Sequence, residues 1–303
     1  MRVLLIANSG KNNISASLDR AAAWLEQQGV TYDHITSERL LAGDPQLLCY
    51  QQRINDYGLV CCFGGDGTIL RVARLIGTSG VPLLSINFGL VGFLTSTDES
   101  RMIQALEAAL EQRITIDTRI LAAVEVQYSD GSIDRQTALN EVGFSRGNFG
   151  RIVSVDLFVN GCLLENVRGD GMLVSTATGS TAYSLSAGGP LITPRFGGLT
   201  IVPISPHTLN SRSVVTAPDD LVVLRPDQES LRRIVLFVDG EVLWKPWEGD
   251  EPGPDGDRPP HPGVPELVEV RVRPSQAGLN ILRYGDYDFF EQISRVFFRG
   301  ANA

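Results

Sequence analysis

The sequence predicts an α/β domain followed by an almost wholly β domain, with a terminal helix that returns to the first. Three observations predict it. Up to about Ile116, short apolar runs alternate with segments of helical spacing. Beyond it, apolar and polar residues alternate around Asp-Gly and Asn-Gly pairs. The closing stretch "DFFEQISRVFF" regains helical spacing. The predicted domains are 1–116 plus about 280–303 for the α/β part and 117–279 for the β part. At 303 residues, 43% of them hydrophobic, the chain is long enough to bury a core in each.

The elements follow in order. "VLLIA" is a first buried strand, too short an apolar run for a secretory leader, so a cytoplasmic protein is expected. A helix around Ser17 to Gln28 carries Leu18, Ala21, Ala22 and Leu25 on one face and ends at Gly29. "LVCCF" (59–63) is the second strand, Thr68 to Ile76 the next helix, "VPLLSIN" (81–87) the third strand and "ESRMIQALEAALEQR" (99–113) a strong amphipathic helix. This alternation implies a parallel sheet, which places ligands at the carboxyl ends of its strands. In the second part, hairpins are predicted at Asp130-Gly131 and Asn160-Gly161. Further β runs are "LTIVPIS", "SVVTA", "LVVLR", "RIVLFVDGEVL" and "ELVEVRVR". The Pro-, Gly- and acid-rich stretch 248–266 is expected to be a solvated loop.

Composition excludes some functions. A net charge of −9 without a Lys/Arg block argues against a nucleic-acid partner. No run of about 20 apolar residues is present, so no membrane span is expected. Cys49, Cys61, Cys62 and Cys162 have no metal-ligand spacing and are expected to be reduced structural thiols.

The chemistry concentrates in "LVCCFGGDGTILRVARL" (59–75). Backbone amides of Gly64, Gly65, Gly67 and Thr68 at a strand-to-helix turn suit phosphate. Asp66 does not: a carboxylate about 4 Å from a phosphate charge costs roughly 4 kcal/mol at an effective dielectric near 20. Three roles would reconcile it: facing a metal on the phosphate, accepting a hydrogen bond from a hydroxyl about to be phosphorylated, or capping the next helix. The first two together describe a kinase, in which catalysis is mostly positioning and charge neutralisation. A second cluster, "RGDGMLVSTATGSTAYSLSAGGPLITP" (168–194), offers many hydroxyls to a polar ligand, with Tyr183 able to stack on a base; a polar turn region is the alternative. In "ALNEVGFSRG" (138–147), Asn140 and Glu141 suit an adenine edge and a ribose diol; plain surface polarity is the alternative.

Taken together, "GGDGT" (64–68), "NFGLVGFL" (87–94), "LNEVGFSRG" (139–147), "GDGMLVSTATGSTAYSLSAGGPLITP" (169–194), "PISPHTLNSR" (203–212) and "VDGE" (238–241) resemble the NAD kinase family, in the same order. The resemblance implies a Rossmann-like α/β domain and a β-sandwich-like domain with NAD held between them. It implies Mg²⁺ or another divalent cation, ATP or in some members polyphosphate as donor, and a homodimer or homotetramer. It makes Asp66 the catalytic carboxylate, with Gly67 beside the substrate. Asn140 and Glu141 become dinucleotide contacts. Asp170, Thr181, Ala182, Tyr183, Ser184, Leu185 and Ser186 would line the adenosine and nicotinamide sides, and Arg71, Arg151 and Arg168 would touch ligand. Two departures stand out: Ala177 where the family usually has Pro, and Glu241 where Gln is common. Lipid kinases and phosphofructokinases carry similar GGDG turns, and a dinucleotide sensor without turnover would keep the same fold; acceptor choice and turnover separate these readings.

Overall fold

The runs "LLIA", "LVCCF" and "LLSIN" are buried throughout, as strands covered on both faces must be. The computed structural model describes residues 1–10, 14–41, 44–89, 92–147, 151–246 and 265–298. It divides into two compact units, Met1–Arg119 with Ala277–Ala303, and Ile120–Gln276.

In unit 1 the elements run β1 (Arg2–Ala7), α1 (Ile14–Gln27), β2 (Thr31–Thr36), α2 (Pro45–Arg53), β3 (Leu59–Phe63), α3 (Asp66–Ile76), β4 (Leu83–Asn87), β5 (Thr97–Asp98) and α4 (Met102–Leu110). All the strand pairs are parallel, in the order 2-1-3-4-5. Helix α1 buries Ile14, Ser17, Ala21 and Leu25, with Leu18 and Ala22 packed against the same core. Helix α3 buries Ile69, Val72, Ala73 and Ile76. Sequence periodicity did not reveal β2 or α2. The strand "TYDHIT" is mostly polar and buries only Ile35, so it lacks the apolar run that marks its neighbours. The predicted 99–113 helix is shorter, opening with a 3₁₀ turn at Glu99–Arg101 that Asp98 caps.

Strand β6 (Thr115–Tyr128) enters unit 2, where β7 (Ile133–Ala138), β8 (Glu141–Ser145), β9 (Val153–Val159), β10 (Cys162–Gly169), β11 (Gly171–Ser175), α5 (Tyr183–Ser186), β12 (Thr200–Ile204), β13 (Val214–Val215), β14 (Val222–Pro226), β15 (Val235–Val238) and β16 (Glu241–Trp244) follow. One antiparallel sheet has the order β13-β12-β11-β8-β15-β16. A second runs β10-β9-β14, then the first half of β17 (Leu267–Arg283), then β6-β7. Inward residues of both, among them Val124, Phe144, Val155, Met172, Ile201, Leu236 and Val270, form one core, which makes the unit a β-sandwich. The Asn160-Gly161 and Asp239-Gly240 turns both have positive φ at both residues (50° and 80°, 48° and 78°), the conformation that two-residue hairpins need. The last part of β17 belongs to unit 1, where Ile281 pairs with Leu83, and α6 (Phe289–Ile293) closes that unit. The acidic stretch 248–266 lies outside the described residues apart from Pro265 and Glu266. Among the described residues no helix is long and apolar enough to cross a membrane.

Candidate active site

In unit 1 the Gly64–Thr68 turn joins β3 to α3 at the carboxyl ends of β1 and β3, the adjacent strands from which the order runs outward in both directions. That is where open α/β sheets bind ligands. Gly64 has a reason within the chain, since a Cβ there would lie 2.4 Å from Thr68 Oγ1. Gly65 and Gly67 have none. A Cβ on either would meet none of the described residues within 4 Å, and neither has a positive φ. Of the four amides expected to face phosphate, two are already engaged: Gly64 N–H donates to Ile86 O at 3.0 Å and Thr68 N–H to Gly65 O at 2.9 Å. The first belongs to the sheet and the second to the opening turn of the helix, so those two amides are not available to a phosphate as expected.

Asp66 does not act as the cap of α3. Gly65 is the N-cap and Asp66 the first helical residue. Its carboxylate reaches across to the segment 92–95, where Oδ2 accepts the Phe93 N–H at 3.0 Å and Oδ1 the Leu94 N–H at 3.3 Å. Gly92 leaves room for it; a Cβ there would sit 2.1 Å from Oδ1. Burial pushes the Asp66 carboxyl above its usual value, opposed by the two amides and by the guanidinium charges of Arg283 and Arg119. Arg71 lies further along α3 and is half-buried.

Sequence reasoning missed what stands behind Asp66. Arg283 and Arg119, 3% and 1% exposed, converge on Asp117 Oδ2, at 2.9 Å and 2.8 Å. These three residues are far from the GGDGT motif in sequence and carry no local signature. Cys61 and Cys62 are fully buried, with burial pushing both thiols up, which suits inert packing residues.

In unit 2, Asn140 and Glu141 sit at the head of β8 and are 9% and 5% exposed. Asp239, in the β15–β16 turn, holds them. Its Oδ1 accepts the Asn140 and Glu141 amides at 2.7 and 3.0 Å, and its Oδ2 the Leu139 amide at 2.8 Å. An Asp-Gly pair between two strands reads as a turn and hides this second task. The Glu141 carboxyl is pushed up to about 8, by burial first and then by the Asp239 charge.

The hydroxyl-rich segment divides. Thr176 Oγ1 donates to Leu139 O at 2.6 Å and accepts the Gly179 N–H at 3.2 Å. Ser180 Oγ donates to Ala177 O at 2.7 Å, and Thr181 Oγ1 to Thr178 O at 3.2 Å. These hydroxyls, Thr181 included, donate to carbonyls in and beside a 3₁₀ turn (Thr178–Thr181), so fewer of the segment's donors than expected are left for a ligand. Thr178 Oγ1, Ser184 Oγ and Glu141 Oε2, by contrast, are buried with no partner among the described residues, a cost normally met by ordered water or a bound group. Ala182 and Leu185 are half-buried, and Ser186 is exposed. Tyr183 is 41% exposed, its ring 6.1 Å from that of Phe237. The Asp170 and Glu141 charges both bear on its hydroxyl, so these residues neighbour one another; Asp170 also pairs with Arg146 at 2.8 Å. Arg151 and Arg168 are set apart. Both are exposed and line, with Arg233, a cavity of about 560 Å³ that includes none of Asn140, Glu141, Asp170 or Tyr183.

Among the described residues no three of His, Cys, Asp and Glu converge as a metal site. A lone carboxylate such as Asp66 in the turn is a donor that would fit a cation borne largely by a ligand's own phosphates.

The comparisons agree with one another. Residues 3–114 match a family model described as the ATP-NAD kinase N-terminal domain, and 139–252 one described as the ATP-NAD kinase C-terminal domain. An NAD kinase of Caldanaerobacter subterraneus subsp. tengcongensis is 41% identical over 60% of this chain and 64% of its own length. One from Clostridium beijerinckii is 34% identical over 80% of this chain and 79% of its own. The chain thus spans just under two thirds of the length of the first of these relatives. Yeast NADH kinase complexed with NADH has the same fold, with a TM-score of 0.81 at 21% identity over 100% of this chain and 89% of that one. The NAD kinase from Archaeoglobus fulgidus in complex with ATP has a TM-score of 0.68 at 20% identity, over 93% and 94%.

Proposed function

Given that the chain belongs to the NAD kinase family, we propose that it transfers the γ-phosphoryl group of ATP to the 2′-hydroxyl of the adenosine ribose of NAD, giving NADP. The observation that carries the reading is Asp66. It is a half-buried carboxylate held from behind by two amides, beside two glycines where an added Cβ would meet none of the described residues. Asp66 orients the acceptor hydroxyl and takes its proton late, as a general base. Burial raises its pKa, which makes it a stronger base than a free carboxylate. The Gly65 and Gly67 amides, at the positive end of α3, receive the donor phosphates. A divalent cation such as Mg²⁺ would supply the charge screening that offsets the repulsion between Asp66 and those phosphates.

Unit 2 supplies the recognition of the dinucleotide. With its pKa near 8, Glu141 is mostly protonated at neutral pH, so its carboxyl offers both a donor and an acceptor to a ribose diol. Thr178, Ser184 and Glu141 each have a buried polar atom to satisfy. The exposed Tyr183 ring stacks on a base of the substrate.

The test is direct. Purified protein with Mg-ATP and NAD is assayed for NADP, with sphingosine, diacylglycerol and fructose 6-phosphate as parallel acceptors. Asp66→Asn is expected to keep NAD binding and lose at least about a hundredfold in turnover. Wild-type turnover in that variant, with binding unchanged, would remove Asp66 from the mechanism; phosphorylation of another acceptor in place of NAD would overturn the assignment.

A further inference from the structure

The segment Gly92–Thr95 presents two faces within unit 1. Its amides at Phe93 and Leu94 point at Asp66. Its carbonyls point the other way, at residues near the end of the chain. Gly92 O accepts from Gln292 Nε2 at 3.1 Å, Phe93 O from Arg283 Nη2 at 3.2 Å, and Thr95 O from Arg283 Nη1 at 2.7 Å. One guanidinium therefore bridges two carbonyls of the loop that aims Asp66.

Arg283 is itself fixed. Its Nε donates to Asp117 Oδ2 at 3.0 Å, and its guanidinium carbon lies 4.1 Å from the centre of the Tyr287 ring. Arg119 braces the same carboxylate at 2.9 and 2.8 Å and donates to Tyr287 Oη at 3.1 Å. A planar fork with every edge engaged holds its targets in a set geometry, which a lysine's point charge does not. Neither arginine bonds to Asp66 directly, so their action on it passes through the loop and through their charge.

We propose that Arg283, locked by Asp117 and Arg119, is a positioning residue for phosphoryl transfer, acting on Asp66 through the 93–95 backbone. The inference rests on the reading of Asp66 given above. The groups bearing on that carboxylate are the Phe93 and Leu94 amides and, at longer range, Arg283 and Arg119, with Asp117 behind them. Loss of Arg283 both loosens the loop and removes a charge that favours the ionised form.

The experiment compares Arg283→Gln, Arg283→Lys and Gln292→Ala with wild type, alone and combined with Asp66→Asn. Arg283→Gln is expected to lower kcat by about a hundredfold, the effect of a misplacement near 1 Å, with the KM for NAD unchanged. Lysine should not restore it, whereas added guanidinium should do so in part. On the Asp66→Asn background the same substitution should cost nothing further, because the two act as a unit. A readout independent of turnover is the ¹⁵N NMR pH titration of the Phe93 and Leu94 amides, whose midpoint should move up in Arg283→Gln. A folded Arg283→Gln with wild-type kcat and an unmoved midpoint, or losses that multiply with Asp66→Asn, would overturn the proposal. If Arg283→Gln does not fold, Arg283→Lys decides: it keeps the charge and loses the fork, so kcat should fall about as far with the midpoint unmoved, and wild-type kcat in it would overturn the proposal. Wild type that makes no NADP would defeat the functional reading, a failure distinct from an unmoved amide midpoint.

Discussion

Gly92→Ala puts the geometry around Asp66 under the sharpest strain. A Cβ at that position would lie 2.1 Å from Asp66 Oδ1, 2.4 Å from its Cγ and 2.5 Å from Oδ2, whereas ordinary contact begins at 3.4 Å. Either the carboxylate or the loop must therefore retreat by about 1.3 Å, the difference between 3.4 and 2.1 Å. A retreat of that size breaks the hydrogen bonds from Phe93 and Leu94, now 3.0 and 3.3 Å long, and misaims the carboxylate. Misplacement by about 1 Å costs roughly a hundredfold in rate, or about 2.7 kcal/mol of barrier. Overpacking should also cost about 1–3 kcal/mol of stability, read from urea unfolding. The assay is NADP formation at saturating Mg-ATP and NAD, beside calorimetric NAD binding. Gly65→Ala is the control. Its Cβ meets nothing within 4 Å, so stability should hold while the KM for ATP rises. A folded Gly92→Ala enzyme with wild-type kcat would refute the claim that Asp66 must sit where the loop puts it.

Three further outcomes are expected. The Glu141 carboxyl has a raised pKa, about 8 against 4.5, so the folded state holds the extra proton between those values and stability falls as pH climbs through that window; the total is on the order of 3–5 kcal/mol, and Glu141→Gln should flatten the change in urea midpoint between pH 5 and 8.5. Ala177 already has φ −58°, the angle proline imposes, and its amide donates to no group among the described residues. Ala177→Pro should then add about 0.4–1 kcal/mol and raise the melting temperature by about 1–4 °C; a lower melting temperature would mean the ring does not fit. Tyr183→Ala should raise the KM for NAD roughly tenfold, within the 1–3 kcal/mol of a base–aromatic stack, whereas an unchanged KM with a lower melting temperature would mean the ring only packs on Phe237.

What was legible in the sequence follows physical rules that act locally. An apolar run ending in Gly64-Gly65 and followed by helical spacing announces the strand–turn–helix that carries Asp66. Asn160-Gly161 announces its hairpin because few other pairs accept positive φ at both positions. The proline expected by resemblance at 177 proved a guide to conformation, since alanine there keeps the proline angle. The rest depends on contacts that no local pattern encodes. Strand β2 is polar because it is the last in the order on its side of the sheet. The competition for the Gly64 and Thr68 amides comes from Ile86 and from the helix's own first turn. The hydroxyls of Thr176, Ser180 and Thr181 look ligand-ready until their carbonyl partners are known. Arg283 falls in no motif that the sequence singles out, and only tertiary structure brings it to Asp117 and the 93–95 loop.

Unit 1 is discontinuous in the chain, and that has a consequence for biosynthesis. Phe93 and the arginine that grips its carbonyl are 190 residues apart. At 5–20 residues per second, a ribosome delivers the second roughly 10–40 s after the first. Throughout that interval the nascent parallel sheet carries its GGDGT turn with the facing loop untethered. A chain released early, or clipped before Arg283, would keep the motif and lack its brace.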